Sequence, residues 1–186
     1  MKYICFEQKL AFHAAPALLG IKASNMLSID KNEADTEQDV KRFNEKAQER
    51  GLRIDVLCEC GKKKLLLVYN RNLLEKRLSE PKIKDFLSNY GYKDFTLDEC
   101  IGRLSERIKS NEDFPHEVGV FLDYPLEDVI GFIENGGANY KMCGAHKVYG
   151  DEVRAARIFE NYNKCRRFLC NKLNMGNDIY QALKIS

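Results

Sequence analysis

The sequence predicts an α+β protein: a single domain over residues 1–186, with a small mixed sheet built around a 52–58/64–70 hairpin and several flanking helices. Three observations carry this. Leu52–Cys58 alternates apolar with polar residues, Lys64–Asn70 is apolar through its middle, and the short turn Glu59 to Lys63 joins them as a hairpin. Apolar residues recur at helical spacing on both sides of that hairpin, most densely after it. No linker rich in Gly, Pro or Ser divides the chain, and at 186 residues one domain buries about 70% of the surface its unfolded chain exposes.

Each element follows from its residues. Residues 4–14 put Phe6, Leu10 and His13 on one helical face, and Pro16 disfavours a helical Ala15. Asn25–Asp30 reads as a short strand. Asp35 or Thr36 caps a helix through Val40, Phe43 and Ala47 that stops at Gly51. In the next strand Leu52, Ile54, Val56 and Cys58 form a buried face and Arg53, Asp55 and Leu57 a mixed one. The run Lys64–Asn70 suits a central strand covered on both sides.

Helices are predicted over 71–79, over 81–89 with Pro81 in the first turn and Gly91 beyond the end, and over 97–109 on Leu97, Ile101, Leu104 and Ile108. Pro115 then turns the chain into a buried run, Val118–Leu122. Pro125 opens a helix striped by Leu126, Val129, Ile130 and Ile133, with Glu127 and Asp128 favourably placed in its first turn and Asn135-Gly136-Gly137 at its end. Asn139–Tyr149 looks extended, broken at Gly144. Asp151 starts a long helix with Ala155, Ile158, Tyr162, Cys165, Leu169 and Leu173 in phase, and a short helix spans 178–183.

The bulk composition excludes several classes. With 44% hydrophobic and 31% charged residues the chain is neither disordered nor fibrous. Glu7, Gln8 and Lys9 interrupt the apolar N-terminus, and nowhere do about 18 apolar residues run unbroken, so a cytoplasmic protein without a membrane span is expected. Seven cysteines, an odd number in a chain that needs no stapling, read as reduced thiols. The net charge of +2 argues against general nucleic-acid affinity. It is unevenly spread: residues 97–137 carry 3 basic against 10 acidic side chains, residues 138–186 carry 9 against 4. The two segments either pack together or face water, or the acidic 97–137 segment meets a protein partner.

No motif names a reaction or a cofactor. Cys58-x-Cys60 and Cys143-x-x-His146 contain four zinc-type ligands, but neither half has strong spacing and Cys58 fits the core, so no metal is assigned. Gly-x-Ser-x-Gly, Walker and Gly-x-Gly-x-x-Gly patterns are absent. Lys164, Arg166 and Arg167 could favour a thiolate at Cys165 or Cys170, yet helix phase puts Cys165 in the core. The helix start at Gly150-Asp151 could accept an anion, as any helix start can. His116-Glu117, after Pro115, can form an acid-base pair; the structural alternative is a histidine bonded to nearby backbone, with its neighbour on the opposite face.

Four blocks carry a resemblance: His13-Ala-Ala-Pro16 with Gly20-Ile-Lys22, the stretch Phe114 to Glu134, Lys147-Val-Tyr-Gly-Asp151, and Tyr162-Asn-Lys-Cys165. Together they resemble the domain-of-unknown-function family 3793 of anaerobic Gram-positive bacteria, across nearly the whole chain. This sequence has Asp123 where the family pattern has Gly, and His146 where it has Trp, which implies that position 146 packs or stacks. If the blocks meet, His13, Lys22, His116, Glu117, Lys147 and Tyr149 line one pocket, with His116 and Glu117 for acid-base work and the others for a small anionic ligand. The alternatives are a non-enzymatic adaptor and, more weakly, a His/Cys metal-binding protein.

Overall fold

The computed structural model describes residues 5–31, 36–110 and 113–185, with Cys60 described by its backbone alone. The expected hairpin forms as β2 (Leu52–Cys60) and β3 (Lys63–Asn70), and β1 (Ser24–Asp30) pairs with the other edge of β3. Both pairings are antiparallel, so the expectation of a mixed sheet is corrected. The crossover from β1 through α3 (Thr36–Ala47) does make β1 and β2 run the same way. β3 lies between them and opposes both, so no parallel ladder forms.

The central position of β3 explains its apolar run. Leu66 and Val68 face one core with Leu10, Phe43, Leu169 and Ile179, while Leu67 and Tyr69 face a second with Leu74, Leu87, Leu104 and Phe121. The first core is closed by α1 (Phe6–His13), α2 (Ala15–Leu18), α3, α9 (Glu152–Asn174) and α10 (Ile179–Leu183). The second is closed by α4 (Arg71–Ser79), α5 (Pro81–Ser88), α6 (Leu97–Ser110), α7 (Val118–Phe121) and α8 (Leu126–Glu134). Helices thus cover both faces of a three-stranded sheet.

Two local expectations change. The register of β2 slips between Val56 and Cys58, a bulge that moves Leu57 into the second core and leaves Val56, expected inside, 39% exposed. Ala15 is helical after all: Pro16 sits in the first turn of a separate helix, where its missing N–H has no partner to lose. Asp35, an expected cap, lies outside the described residues, as does the side chain of Cys60.

The helix starts at Asp151 and Asp178 fall where the sequence places them. Asp151 accepts the Arg154 N–H at 2.9 Å, and Asp178 and Gln181 form a capping box. The extended segment before α9 is a small hairpin, β4 (Met142–Cys143) with β5 (Lys147–Val148), turning through Gly144 to His146. Gly144 lies so close to the Phe159 ring that no Cβ would fit, which seats the hairpin on α9. Among the described residues no helix is long and apolar enough to cross a membrane.

Candidate functional site

A cavity of about 330 Å³ lies between the α7–α8 segment and the β4–β5 hairpin, walled by His116, Tyr124, Phe132, Cys143, His146 and Lys147 together with Val118 and Val129. Its first wall comes from the turn at Pro115. Pro115 is buried, and the single-turn α7 that follows sinks Val118, Val120 and Phe121 into the second core, which anchors the turn. His116 is left exposed, its ring edge-on to Phe132 at 5.0 Å.

Glu117 goes the other way. It is 0% exposed and forms an ion pair with Arg107 of α6, whose guanidinium also lies over the Tyr90 ring at 5.4 Å. Glu117 does not line the 330 Å³ cavity; with Tyr90, Arg107 and Pro115 it borders a neighbouring hollow of about 390 Å³ that shares His116. The two neighbours in sequence therefore separate, one to the cavity and one to a buried ion pair.

The remaining expected residues also divide. Lys147 on β5 lines the cavity, donating from Nζ to the Gly137 carbonyl at 2.6 Å and lying over the Tyr140 ring at 4.9 Å. Tyr149 stands beside it: its hydroxyl donates to the Ala138 carbonyl at 2.9 Å and its ring rests on Gly131, where a Cβ would come within 2.6 Å of the Tyr149 Cβ. Lys22 reaches the cavity through Tyr124. Its ammonium is buried over the rings of Tyr124 and Tyr162, at 4.9 and 5.2 Å, and desolvation lowers its pKa to about 8 against the pull of Asp123. His13 is elsewhere, at the end of α1 beside Phe12 and Arg166 of α9, and borders neither hollow. The expectation of one pocket for all six residues is corrected accordingly, because α1 packs on the first core and the cavity belongs to the second.

At the floor of the arrangement are two residues that sequence reasoning did not single out as a pair. Asp128 of α8 is buried; its Oδ1 accepts the N–H groups of Tyr149 at 2.7 Å and Gly150 at 2.8 Å, and its Oδ2 is 2.9 Å from His146 Nε2. A carboxylate only accepts, so Nε2 carries the proton and Nδ1 is left as a bare acceptor. Among the described residues Nδ1 is buried without a hydrogen-bond partner, an omission that costs about 1–3 kcal/mol. Desolvation, aided by the charge of Lys22, lowers the pKa of His146 against the raising effect of Asp128, so the imidazole is neutral at neutral pH.

Two aromatic rings pack against the imidazole. It stacks on Tyr124 with centroids 4.4 Å apart and meets the Phe159 ring edge to face at 5.1 Å, so position 146 stacks as the resemblance implies. Tyr124 is itself fixed, its carbonyl accepting from Arg77 at 2.6 Å and its hydroxyl reaching the Ala145 carbonyl at 3.3 Å. Asp123, beside it, has φ 57°, the left-handed region that glycine adopts most readily. The one sequence hint of the Asp128 contact is Gly131, a small residue one turn further on the same helical face, which makes room for Tyr149. Among the described residues no three His, Cys, Asp or Glu side chains gather where a metal ion could be held.

Fold and site together define an α+β protein with helices on both faces of a small antiparallel sheet and an aromatic-walled cavity over a buried Asp-His pair. The chain belongs to the family described as "Protein of unknown function (DUF3793)", whose profile matches residues 10–183. No curated protein and no solved structure matches it.

Proposed function

We propose that the protein binds a small organic anion with an apolar body in the cavity between α8 and the β4–β5 hairpin. The observation that carries this reading is the meeting of His116 and Lys147, from separate segments, in a hollow whose other walls include Phe132, Tyr124, Val118 and Val129. Sites for small molecules are typically concave, mostly apolar, and supplied with a few placed polar groups, with volumes from about 300 Å³ upward, so 330 Å³ suits a small metabolite. Lys147 gives one of its three N–H donors to Gly137, leaving donors for a carboxylate. In this reading Glu117 holds the turn that presents His116, and takes no part in proton transfer.

The test is a titration of the purified protein with a panel of aliphatic and aromatic monocarboxylates, followed by ligand-observed NMR. Lys147→Ala and His116→Ala should each weaken binding about tenfold or more, the worth of one charge-assisted hydrogen bond, while leaving the melting temperature close to that of the parent. Binding that both variants leave untouched, or no binding by the folded protein, would sink the proposal.

A further inference from the structure

We propose that His146 Nδ1 is the acceptor for a hydroxyl group on the ligand, so that the cavity selects hydroxy-carboxylates over the corresponding unsubstituted acids. This rests on the reading of the cavity as a small-anion site and specifies what the anion must carry.

Hydrogen bonding around the cavity is unbalanced. Asp128 has three N–H donors for its two oxygens, Lys147 has a carbonyl, Tyr149 has a carbonyl, yet the Nδ1 of His146 has none among the described residues. His146 cannot easily swing to find one. Its Nε2–H is tied to Asp128, its face lies on Tyr124, and the Phe159 ring packs against it at 86°. The side chain is only 6% exposed, so the missing donor has to come from a group seated against it in the cavity that His146 walls. His146 does wall the cavity, next to Lys147, so a molecule seated there with its carboxylate at Lys147 brings its own donor to the adjoining residue.

The surroundings favour a neutral donor. Lys22 acts on His146 electrostatically and Lys147 is the neighbouring residue, so an ammonium group would face two cations already in place. A hydroxyl has no such penalty. Sites that present a buried hydrogen-bonding group discriminate strongly against an analogue lacking its partner, because the group is then left unpaired.

Matched acids test this: 3-phenyllactate against 3-phenylpropionate, 2-hydroxyhexanoate against hexanoate, and phenylalanine as the ammonium counterpart. Each is titrated against the parent protein, His146→Phe and Lys147→Ala, with ¹⁵N NMR of the histidine ring nitrogens as a second readout. The hydroxy acids should bind the parent at least about tenfold more tightly than their unsubstituted partners. His146→Phe, which keeps an aromatic ring beside Tyr124, should abolish that preference and bring the two acids of each pair to equal affinity. The Nδ1 resonance of His146 should begin as an unprotonated nitrogen and move upfield with hydroxy acids alone.

Equal affinity within the pairs, with Lys147→Ala still weakening both, would overturn the role of His146 and leave the anion site standing. A preference that survives in His146→Phe, a Nδ1 already protonated in the free protein, or tighter binding of phenylalanine than of phenyllactate would also overturn it. If no acid of either kind binds, the anion site and this inference fall together. The NMR readout on the parent keeps the test decisive even if His146→Phe does not fold.

Discussion

Asp128 and His146, 18 residues apart in the chain, are joined by a 2.9 Å hydrogen bond between two buried side chains. The other oxygen of Asp128 is taken by two backbone N–H groups at the end of the β4–β5 hairpin, so one carboxylate both orients the imidazole and fastens the hairpin to α8. The cavity wall depends on it. Asp128→Ala should lower stability by about 3 kcal/mol or more in urea unfolding, since three donors lose their acceptor and each unpaired buried group costs about 1–3 kcal/mol. Asp128→Asn should cost less, because its carbonyl can still serve the backbone. A loss within about 0.5 kcal/mol for the alanine variant, the range of ordinary surface substitutions, would show that the hairpin is held by other contacts.

The Glu117–Arg107 pair predicts an asymmetry. Glu117 is fully buried, whereas the Arg107 side chain retains 21% exposure. Arg107→Ala strands a carboxylate away from water and should destabilise by about 3–5 kcal/mol, more than Glu117→Ala, which leaves a guanidinium that still reaches solvent. Ligand binding by whatever fraction stays folded should be unchanged in Glu117→Gln. Loss of binding with full stability in that variant would instead make Glu117 part of the site.

Lys22 makes stability depend on pH. Burial lowers its pKa from 10.5 to about 8, so between these values the unfolded chain holds a proton that the folded protein has released. Stability attributable to this group therefore rises with pH across that window, and below pH 8 the buried ammonium is a constant penalty. Relative to Lys22→Met, the parent should gain on the order of 3 kcal/mol between pH 7 and pH 10.5, less whatever Tyr124 and Tyr162 return to the cation. Denaturant curves for both proteins at the two pH values measure it; a gap that does not narrow with rising pH would place the lysine in contact with water.

Asp123 separates backbone from side-chain effects. Its φ of 57° is strained for a residue with a Cβ, yet its Oδ2 accepts the Ala23 N–H at 3.1 Å and its Oδ1 lies 3.7 Å from Arg77 Nε. Asp123→Gly and Asp123→Ala lose those side-chain contacts equally, and only the glycine relieves the strain. The alanine variant should thus be about 1 kcal/mol less stable than the glycine variant, as thermal unfolding of the pair would show. Equal stabilities would mean that the turn relaxes once the carboxylate is gone.

Much of the fold could be read locally. The hairpin, the helix over residues 71–79, and the starts at Pro125, Asp151 and Asp178 all rest on patterns within a few residues of one another. What escaped depends on distant pairing. The bulge at Val56–Cys58 is invisible to an alternation count because Val56 and Leu57 are equally apolar, and the partner strand decides which one turns inward. The antiparallel sheet in place of a mixed one follows from β3 inserting between two strands that the α3 crossover alone would set side by side. At the site, His116 and Lys147 were legible as chemistry and do meet, while His13 and Glu117 are drawn off by α9 and α6.

The sequence by itself determined which segments are helix or strand, which faces are apolar, and which side chains can carry charge, because periodicity and caps act between near neighbours. Only the tertiary structure decided the partners: Asp128 with His146 and the Tyr149 N–H, 18 and 21 residues away, and Asp123 with the Ala23 N–H, 100 residues away. An aspartate in the first turn of a helix looks the same in sequence whether it faces water or a buried imidazole. Burial and the donors brought to it by other segments set its energy, and these exist only once the hairpin has closed over α8.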